Sequence, residues 1–397
     1  MKQIKTITAN EMRGVNRTAI LELIRSEGPI SRTYISNKLN VSLPTVMRII
    51  EELSVENIVV NQDNKEWSGG RKRSLVTLNY KEHITVGLDL GGSKIFGAVT
   101  NLGGEVLFEK QYEKDNTSGE ESYNLLLGLI DELLIEARNT KKNILGIGIG
   151  VPGVTIHETG VVIWAPSLNW REFPLKDRLM ERLSLPIIVD NDVNLAALGE
   201  MWFGAGKDVQ DLVTVYIGTG IGAGVVIDGA LYRGAHQMAG EIGYLLPGRE
   251  FLNNTYPNFG ALEKVAAGTG MIDRAKKFLE EHKDIKNEVG ISAEEIFIAH
   301  RRGETWASQI VEEVLDYLAI LIAAVISFYD PEVIVISGGV INSTDLIIGP
   351  ICKRIEGKVP NIPSIITSSL GHRATVMGAM INLIHNVSDF YVVRKLS

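Results

Sequence analysis

The stretch LVTVYIGTGIGAGVVIDGALY, residues 212–232, decides the fold. It reads as an apolar strand, a turn of alternating glycines, a second strand, a short turn and a third strand. The same plan runs through ITVGLDLGGSKIFGAVTNLGGEVL at residues 84–107. An internally duplicated α/β chain is the economical explanation, with two similar sheets facing each other and both glycine loops at one cleft. In the first loop, Gly91 and Gly92 let the backbone bend close to an anion, Ser93 offers a hydroxyl, Lys94 adds charge and Asp89 ends the strand. Gly218, Thr219 and Gly220 form the second. The spacing does not match GxxxxGK[ST], so neither loop is a P-loop. Taken alone, the first could equally be a tight hairpin; its repetition is what favours a phosphate site. A further strand, PEVIVISGGVI at residues 331–341, follows an apolar helix at 311–328 and is expected to border the same cleft.

Between the loops, LPIIVDNDVNLAALGE at residues 185–200 reads as a buried strand, an Asp190-Asn191-Asp192 run and a helix. All three polar groups are expected to point into the cleft. A carboxylate there could take a proton from a hydroxyl as it attacks phosphorus, while Asn191 bonds a neighbouring hydroxyl. Helix capping is the competing reading, since Asp and Asn are good N-caps. Both can hold, with different residues of the run.

Before residue 80 the pattern differs. Residues 13–26 carry Val15, Ala19, Leu21, Leu23 and Ile24 at roughly helical spacing, and Gly28-Pro29 ends that helix. Ser31 offers an N-cap for a short second helix to Leu39, and Asn40-Val41-Ser42 turns into a third beginning near Leu43, with Pro44 in its first turn. Ile35, Leu39, Val46, Ile49, Ile50 and Leu53 are expected to face a small core. Ser42, Thr45, Met47 and Arg48 are left at the outer, N-terminal side of the third helix, where a recognition helix meets base edges. Residues 61–79 read as a β-hairpin with Arg71, Lys72 and Arg73 at a glycine-hinged tip, suited to phosphates or a minor groove. This is the plan of a winged helix-turn-helix, with Arg32 a further candidate DNA contact. A plain linker bundle with a solvated turn is the blander alternative.

Charge supports the DNA reading. Residues 1–80 hold 12 Lys and Arg against 8 Asp and Glu, whereas the remainder holds 28 against 40. Only the head is suited to a polyanion. The longest apolar stretch, residues 318–329, is well short of the roughly 20 residues of a membrane span, and the first residues lead into no signal-peptide core. Cys352 is the only cysteine, which excludes an internal disulfide and a cysteine-rich zinc site. A cytoplasmic protein without membrane association is expected.

With IVDNDVNLAALGE, IGTGIGAG, AGEIGY and NFGALE in this order, the body resembles the ROK family of repressors, open-reading-frame proteins and sugar kinases. The GGRK wing is similar to that of the family's repressor branch. The resemblance implies an actin-like, hexokinase-type fold of two α/β lobes after the winged head. The expected division is a DNA-binding domain at 1–80, a first lobe at 81–200 completed by a C-terminal helix at about 376–397, and a second lobe at 201–375. Carried over position by position, Asp89, Gly91, Gly92, Lys94, Gly218, Thr219 and Gly220 become the ATP-phosphate positions, with magnesium. Asn191 and Asp192 become the sugar-binding pair, Asp192 being the general base in kinases. Glu241 and Glu263 match glutamates that bond sugar hydroxyls, and Gly153 and Ser167 line the same pocket.

The departures are specific. In most of the family a histidine after AGEIG and three cysteines before the second glutamate bind structural zinc; here Tyr244, Asn254, Tyr256 and Ala261 stand in their places. Those side chains cannot supply four N or S donors, so no structural zinc is expected, and the loop at 245–260 must be ordered by packing, through residues such as Phe251, Leu252 and Phe259. Tyr244, replacing a histidine that touches the sugar, is expected to alter ligand choice. The resemblance thus implies a sugar-responsive repressor of carbohydrate-utilisation genes, a homodimer or homotetramer bound to operator DNA, with a monosaccharide in the cleft. The alternative is an ATP-dependent sugar kinase, alone or combined with regulation. The identity of the sugar, and whether it releases or promotes DNA binding, stay open.

Overall fold

The computed structural model describes residues 9–63, 74–114, 119–281 and 291–386. Helix α1 (Ala9–Glu27) leads to a short strand β1 (Ile30–Ser31), α2 (Arg32–Leu39) and α3 (Leu43–Val55), followed by β2 (Val59–Asp63) and β3 (Ser74–Leu78). The caps are those the sequence offers. Ser31 accepts from the Tyr34 N–H, Ser42 accepts from the Thr45 N–H, and Pro44 sits in the first turn of α3. Strand β3 lies between β1 and β2 and pairs antiparallel with both, so a winged helix-turn-helix is formed. The wing tip at residues 68–73, with Arg71, Lys72 and Arg73, lies outside the described residues.

Two features of the head go beyond what helical spacing gives. Val15 is 50% exposed, because the apolar core-facing stripe of α1 begins only at Ala19. The expected core of the head, with Ile35, Val46, Ile49, Ile50 and Leu53 buried, is continuous with the body: Ile20, Ile24, Ile49 and Val76 belong to one apolar cluster with Leu198, Trp202, Met377 and Ile381. Sequence spacing reports which face of a helix is apolar, not what covers it.

The body contains two five-stranded sheets of the same topology. In the first, β4 (His83–Leu90), β5 (Lys94–Asn101) and β6 (Val106–Glu113) form an antiparallel meander, and β7 (Asn143–Val151) then β11 (Ile187–Asn191) continue it in parallel from β4. A small sheet of β8 (Val154–Ile156), β9 (Val161–Ala165) and β10 (Trp170–Phe173) is inserted before β11. In the second, β12 (Leu212–Ile217), β13 (Ile221–Ile227) and β14 (Ala230–Leu231) form the meander, with β15 (Val333–Ser337) and β16 (Ser364–Thr367) parallel beyond β12. The duplication read from the two glycine-loop segments is therefore a duplication of whole sheets, and the layout is the two-lobed actin-like, hexokinase-type fold.

Helices complete the layers. The first sheet carries α4 (Glu120–Asn139) on one face, with α5 (Leu175–Met180) beside β11. The second carries α7 (Glu263–Ala266), α8 (Gly268–Glu281), α9 (Ala293–Arg301), α10 (Thr305–Tyr329) and α11 (Ile348–Ile355) on its outer side. Between the sheets run α6 (Asp192–Phe203), which packs on β12, β13 and β7, and α12 (Ala374–Asn386), which packs along α6 and against β4 and β7. Of α6's twelve residues, Val193 to Trp202 are all buried. Among the described residues no helix is long and apolar enough to cross a membrane.

Candidate functional site

Where β11 ends, the chain turns at once into α6, and this turn builds the floor of a cavity of about 400 Å³ between the two sheets. Asn191 is both the last strand residue and the N-cap: its side-chain oxygen accepts from the Asn194 N–H at 2.9 Å. Its amide donates to the Gly153 carbonyl at 2.9 Å, joining the floor to the loop after β7. Gly153 has φ +82° there, and a Cβ would lie 2.1 Å from the Trp164 carbonyl oxygen. Asp192, the first helical residue, accepts from the Val193 N–H with Oδ1 at 2.9 Å and turns its carboxylate into the cavity. Capping and cleft lining thus both hold: Asn191 does both, and Asp192 lines the cavity beside it.

Asp190 corrects the expectation that the whole run faces the cleft. Only 1% exposed, it pairs with the Arg233 guanidinium and accepts from the Asn382 amide at 3.2 Å, away from the cavity. Successive strand residues point to opposite faces, so Asp190 and Asn191 cannot share one.

Glu241 and Glu263 enter from the other lobe. Glu263 is held as a carboxylate acceptor by the Ile221 N–H at 2.9 Å and the Gly260 N–H at 2.7 Å. Gly153, Ser167, Asn191, Asp192, Glu241, Tyr244 and Glu263 all line the one cavity, although they come from five separate stretches of chain. So do Gly91, Gly92, Thr219 and Gly220. Asp89, Gly218 and Lys94 do not. Asp89, next to last in β4, is partly buried, its Oδ1 buried without a hydrogen-bond partner among the described residues. Lys94 lies 3.6 Å from Glu113, its side chain 56% exposed. It is turned outward because it begins β5 directly opposite Glu113 of β6, where opposite charges attract across the strand pair.

The cavity also has an apolar wall that spacing did not single out: Pro152, Trp164, Pro166, Met238 and Phe259. Trp164, three residues before the quoted Ser167, was the available signal. A pyranose has both an edge of hydroxyls and a face of C–H groups, and a carboxylate floor with an aromatic wall meets both. Lys114 was also missed. Buried, it donates from Nζ to the Gly92 carbonyl at 3.2 Å and the Ser167 carbonyl at 3.3 Å, tying the first glycine loop to the Ser167 side of the cavity; burial lowers its pKa.

Crowding of acids raises their pKa values. Burial pushes Asp192 up, and burial together with the Asp192 charge pushes Asp89 up. Glu241 rises from 4.5 to about 7, through burial first and then Glu263 and Asp192. An acid raised in the folded state holds its proton better than the unfolded chain does, so stability falls as pH rises from about 4.5 towards 7. Glu241→Gln cannot ionise. It should unfold harder than the parent at pH 8 by roughly 1–3 kcal/mol, a gain that vanishes near pH 4 in denaturant titrations. A gain independent of pH would contradict the assignment.

The four positions where the family resemblance implies a zinc site carry Tyr244, Asn254, Tyr256 and Ala261, which are not a set of N or S donors. Tyr244 donates from its hydroxyl to the Asn258 carbonyl at 3.2 Å and Tyr256 to the Phe251 carbonyl at 3.3 Å, while Asn254 is exposed and Ala261 fully buried. No group of three His, Cys, Asp or Glu suited to a metal occurs among the described residues. Of the apolar residues expected to order this loop, Phe251 meets the Tyr317 ring edge-on at 6.2 Å and Phe259 lines the cavity. Leu252 is 67% exposed and contributes nothing to that packing.

In the head, Ser42, Met47 and Arg48 are exposed and Thr45 partly so, along the N-terminal half of α3. The Ser42 and Thr45 hydroxyls lie 2.7 Å apart within the cap. Arg32 reaches Asn61 Oδ1 of β2 at 2.7 Å, at the root of the wing.

Comparison with known proteins matches two separate parts of the chain. A family model described as ROK family matches residues 85–386, and one described as winged helix-turn-helix DNA-binding matches residues 16–60. The xylose repressor of Caldicellulosiruptor bescii is 31% identical over 390 residues, covering 96% of this chain and 98% of its own. Among solved structures, a ROK family transcriptional regulator described as a homologue of the E. coli MLC protein superposes with a TM-score of 0.81 at 26% identity, over 95% of this chain and 96% of that one. A ROK family glucokinase from Streptomyces griseus, solved with glucose and AMPPNP, gives 0.65 at 26% identity, over 75% of this chain and 98% of its own.

Proposed function

The chain belongs to the ROK family, and from that premise we propose that it is a sugar-responsive transcriptional repressor that reads operator DNA with its winged head and holds a monosaccharide between its lobes. One observation carries the reading: a carboxylate-floored, aromatic-walled cavity is joined in one chain to a winged helix-turn-helix whose exposed α3 face bears Ser42, Thr45 and Arg48. Asn191, Asp192, Glu241 and Glu263 bond the sugar hydroxyls, Trp164 and Phe259 cover its C–H face, and Gly153, Ser167 and Tyr244 complete the wall.

In this reading residues 1–80 form the DNA-binding unit, 81–200 with the C-terminal helix the first lobe, and 201–375 the second. The packing of α12 along α6 and on β4 and β7 supports assigning it to the first lobe. The protein works in the cytoplasm as a homodimer on an inverted-repeat operator, and bound sugar releases it. Names of relatives make D-xylose and D-glucose the first candidates. A thermal-shift screen of pentoses, hexoses and their phosphates tests the pocket, because a ligand at 100 times its dissociation constant adds about 2.7 kcal/mol to the unfolding free energy. A screen without any stabilising sugar would overturn the reading.

Phosphorylation of the bound sugar is a second reading, favoured by the position and raised pKa of Asp192, which suit a general base. ATP with magnesium would lie against Gly91, Gly92, Thr219 and Gly220, near the unpartnered Asp89 oxygen, and supply the phosphoryl group. The fit is poor on two counts. A Cβ on Gly92 would lie 2.7 Å from Thr219 Oγ1, so the loops already meet, and Lys94 brings no charge to them. A repressor needs only the sugar half. Sugar-dependent release of ADP would establish the second reading.

A further inference from the structure

Helix α6 touches both working parts of the molecule. Its first residue, Asp192, lines the cavity, and its last two, Trp202 and Phe203, lie under the DNA-reading head. Twelve residues of α-helix span about 18 Å. At the far end, the Arg25 guanidinium of α1 sits 4.7 Å from the Trp202 ring centre and 5.1 Å from that of Phe203. Its Nε and a terminal nitrogen donate to the Glu22 carboxylate at 2.8 and 2.9 Å, which fixes the guanidinium plane over the rings. Two of its members are buried, Trp202 at 2% exposed and Glu22 at 6%, while Arg25 and Phe203 are partly so.

A second helix locks to the first. Gly378 of α12 approaches α6 so closely that a Cβ would lie 1.7 Å from the Leu195 carbonyl oxygen, and one on Gly199 of α6 would lie 2.1 Å from that of Ala374. Backbone meets backbone, leaving no flexible side chains to absorb a displacement. At the cavity end Thr375 Oγ1 donates to the Asp192 carbonyl at 3.4 Å, and at the head end the His385 ring lies 5.3 Å from Trp202. Burial, then the Arg25 charge, holds His385 down at about 4, so it is neutral at ordinary pH and opposes no cation there.

We propose that the α6–α12 pair moves as one body and carries sugar occupancy from Asn191 and Asp192 to the head, with Arg25 stacked on Trp202 and Phe203 as the coupling contact. This rests on the cavity being the sugar site. A hydroxyl bonded to Asp192 displaces the helix pair at one end, and the rings beneath Arg25 re-seat α1 at the other. Helix α1 in turn is tied to α3 by Arg13 to Glu52 at 2.6 Å and by Arg17 to Glu56, so the recognition helix follows it. The linker contact, with His83 Nε2 2.8 Å from the Asn57 carbonyl oxygen, holds the head without reaching the cavity. Coupling of this kind is reciprocal: operator DNA changes sugar affinity by the same factor by which sugar changes operator affinity.

Arg25→Ala in the full-length protein tests it, using a duplex selected from a random pool by the sugar-free parent and D-xylose and D-glucose as probes. Calorimetry without DNA should give parental sugar affinity, and sugar-free operator binding should persist. The ratio of operator affinities without and with sugar should collapse to near one, and operator DNA should no longer alter sugar affinity. Arg25→Lys keeps a cation over the rings and should recover part of the ratio; it also serves if the alanine variant folds poorly. Parental ratios in both variants would overturn the coupling while leaving the sugar site intact. A parent that binds neither probe, or whose operator affinity neither changes, overturns the functional reading and the coupling with it.

Discussion

Asp192→Asn should lower sugar affinity by about 10–100-fold, because it replaces a charge-assisted hydrogen bond worth roughly 1.5–3 kcal/mol with a neutral amide. The substitution is nearly isosteric. Its oxygen can still accept from the Val193 N–H, so the start of α6 is kept. It also removes one of the charges that hold Asp89 and Glu241 above their ordinary pKa values, so folding stability near neutral pH should rise or stay level. Sugar-free operator binding should be unaffected, and the sugar concentration needed for release should increase by the same factor as the dissociation constant. Calorimetry with the stabilising sugar, together with operator titrations at several sugar concentrations, measures both. Parental affinity in this variant would mean that the sugar does not touch Asp192. A large loss of stability instead would point to an unrecognised structural role.

Arg48→Ala should cost the head about 1–3 kcal/mol of operator binding, or roughly 5–150-fold in affinity, if Arg48 reads a base edge. Its exposure on the N-terminal half of α3 is that of a recognition-helix residue, and among the described residues it has no ion-pair partner. Two outcomes separate its roles. A base contact would relax specificity at one operator position while hardly changing the salt dependence. A phosphate contact would weaken all sequences alike and reduce the slope of log affinity against log salt by about 0.9. Sugar affinity measured without DNA should be parental in either case. If neither affinity nor slope changes, α3 is not the reading helix and the expected contacts must be sought at the wing.

Much of this organisation is written in local sequence, because it depends on local physics. The N-caps at Ser31 and Ser42, Pro44 in the first turn of α3, and the hairpin strands β2 and β3 follow from backbone hydrogen bonding and turn geometry, which each segment carries for itself. The repeated glycine loops marked a duplication, since a strand that turns back on its neighbour needs the same residues wherever it occurs. The order of DNDVN, AGEIGY and NFGALE carried the family resemblance, which implied a sugar-type site and a zinc site at Tyr244, Asn254, Tyr256 and Ala261; that these four cannot hold the metal followed from donor chemistry.

What only the tertiary structure decided concerns direction and partnership. Asp190 and Asn191 are neighbours in sequence, yet one is buried against Arg233 and the other lines the cavity, because a strand alternates its faces. Lys94 looks like a phosphate ligand until the register of β5 and β6 sets it opposite Glu113. Trp164 and Met238 carry no motif, and with Phe259 of NFGALE they become one wall only when distant segments meet. The clearest case is α6. The Asn191-Asp192 run at its start reads as cleft-facing from sequence, but nothing local says that Arg25 of a distant helix stacks on its other end. Hydrogen bonding and backbone preference act over a few residues, whereas burial joins any surfaces that exclude water together, so the course of α6 from cavity to head is a property of the folded molecule.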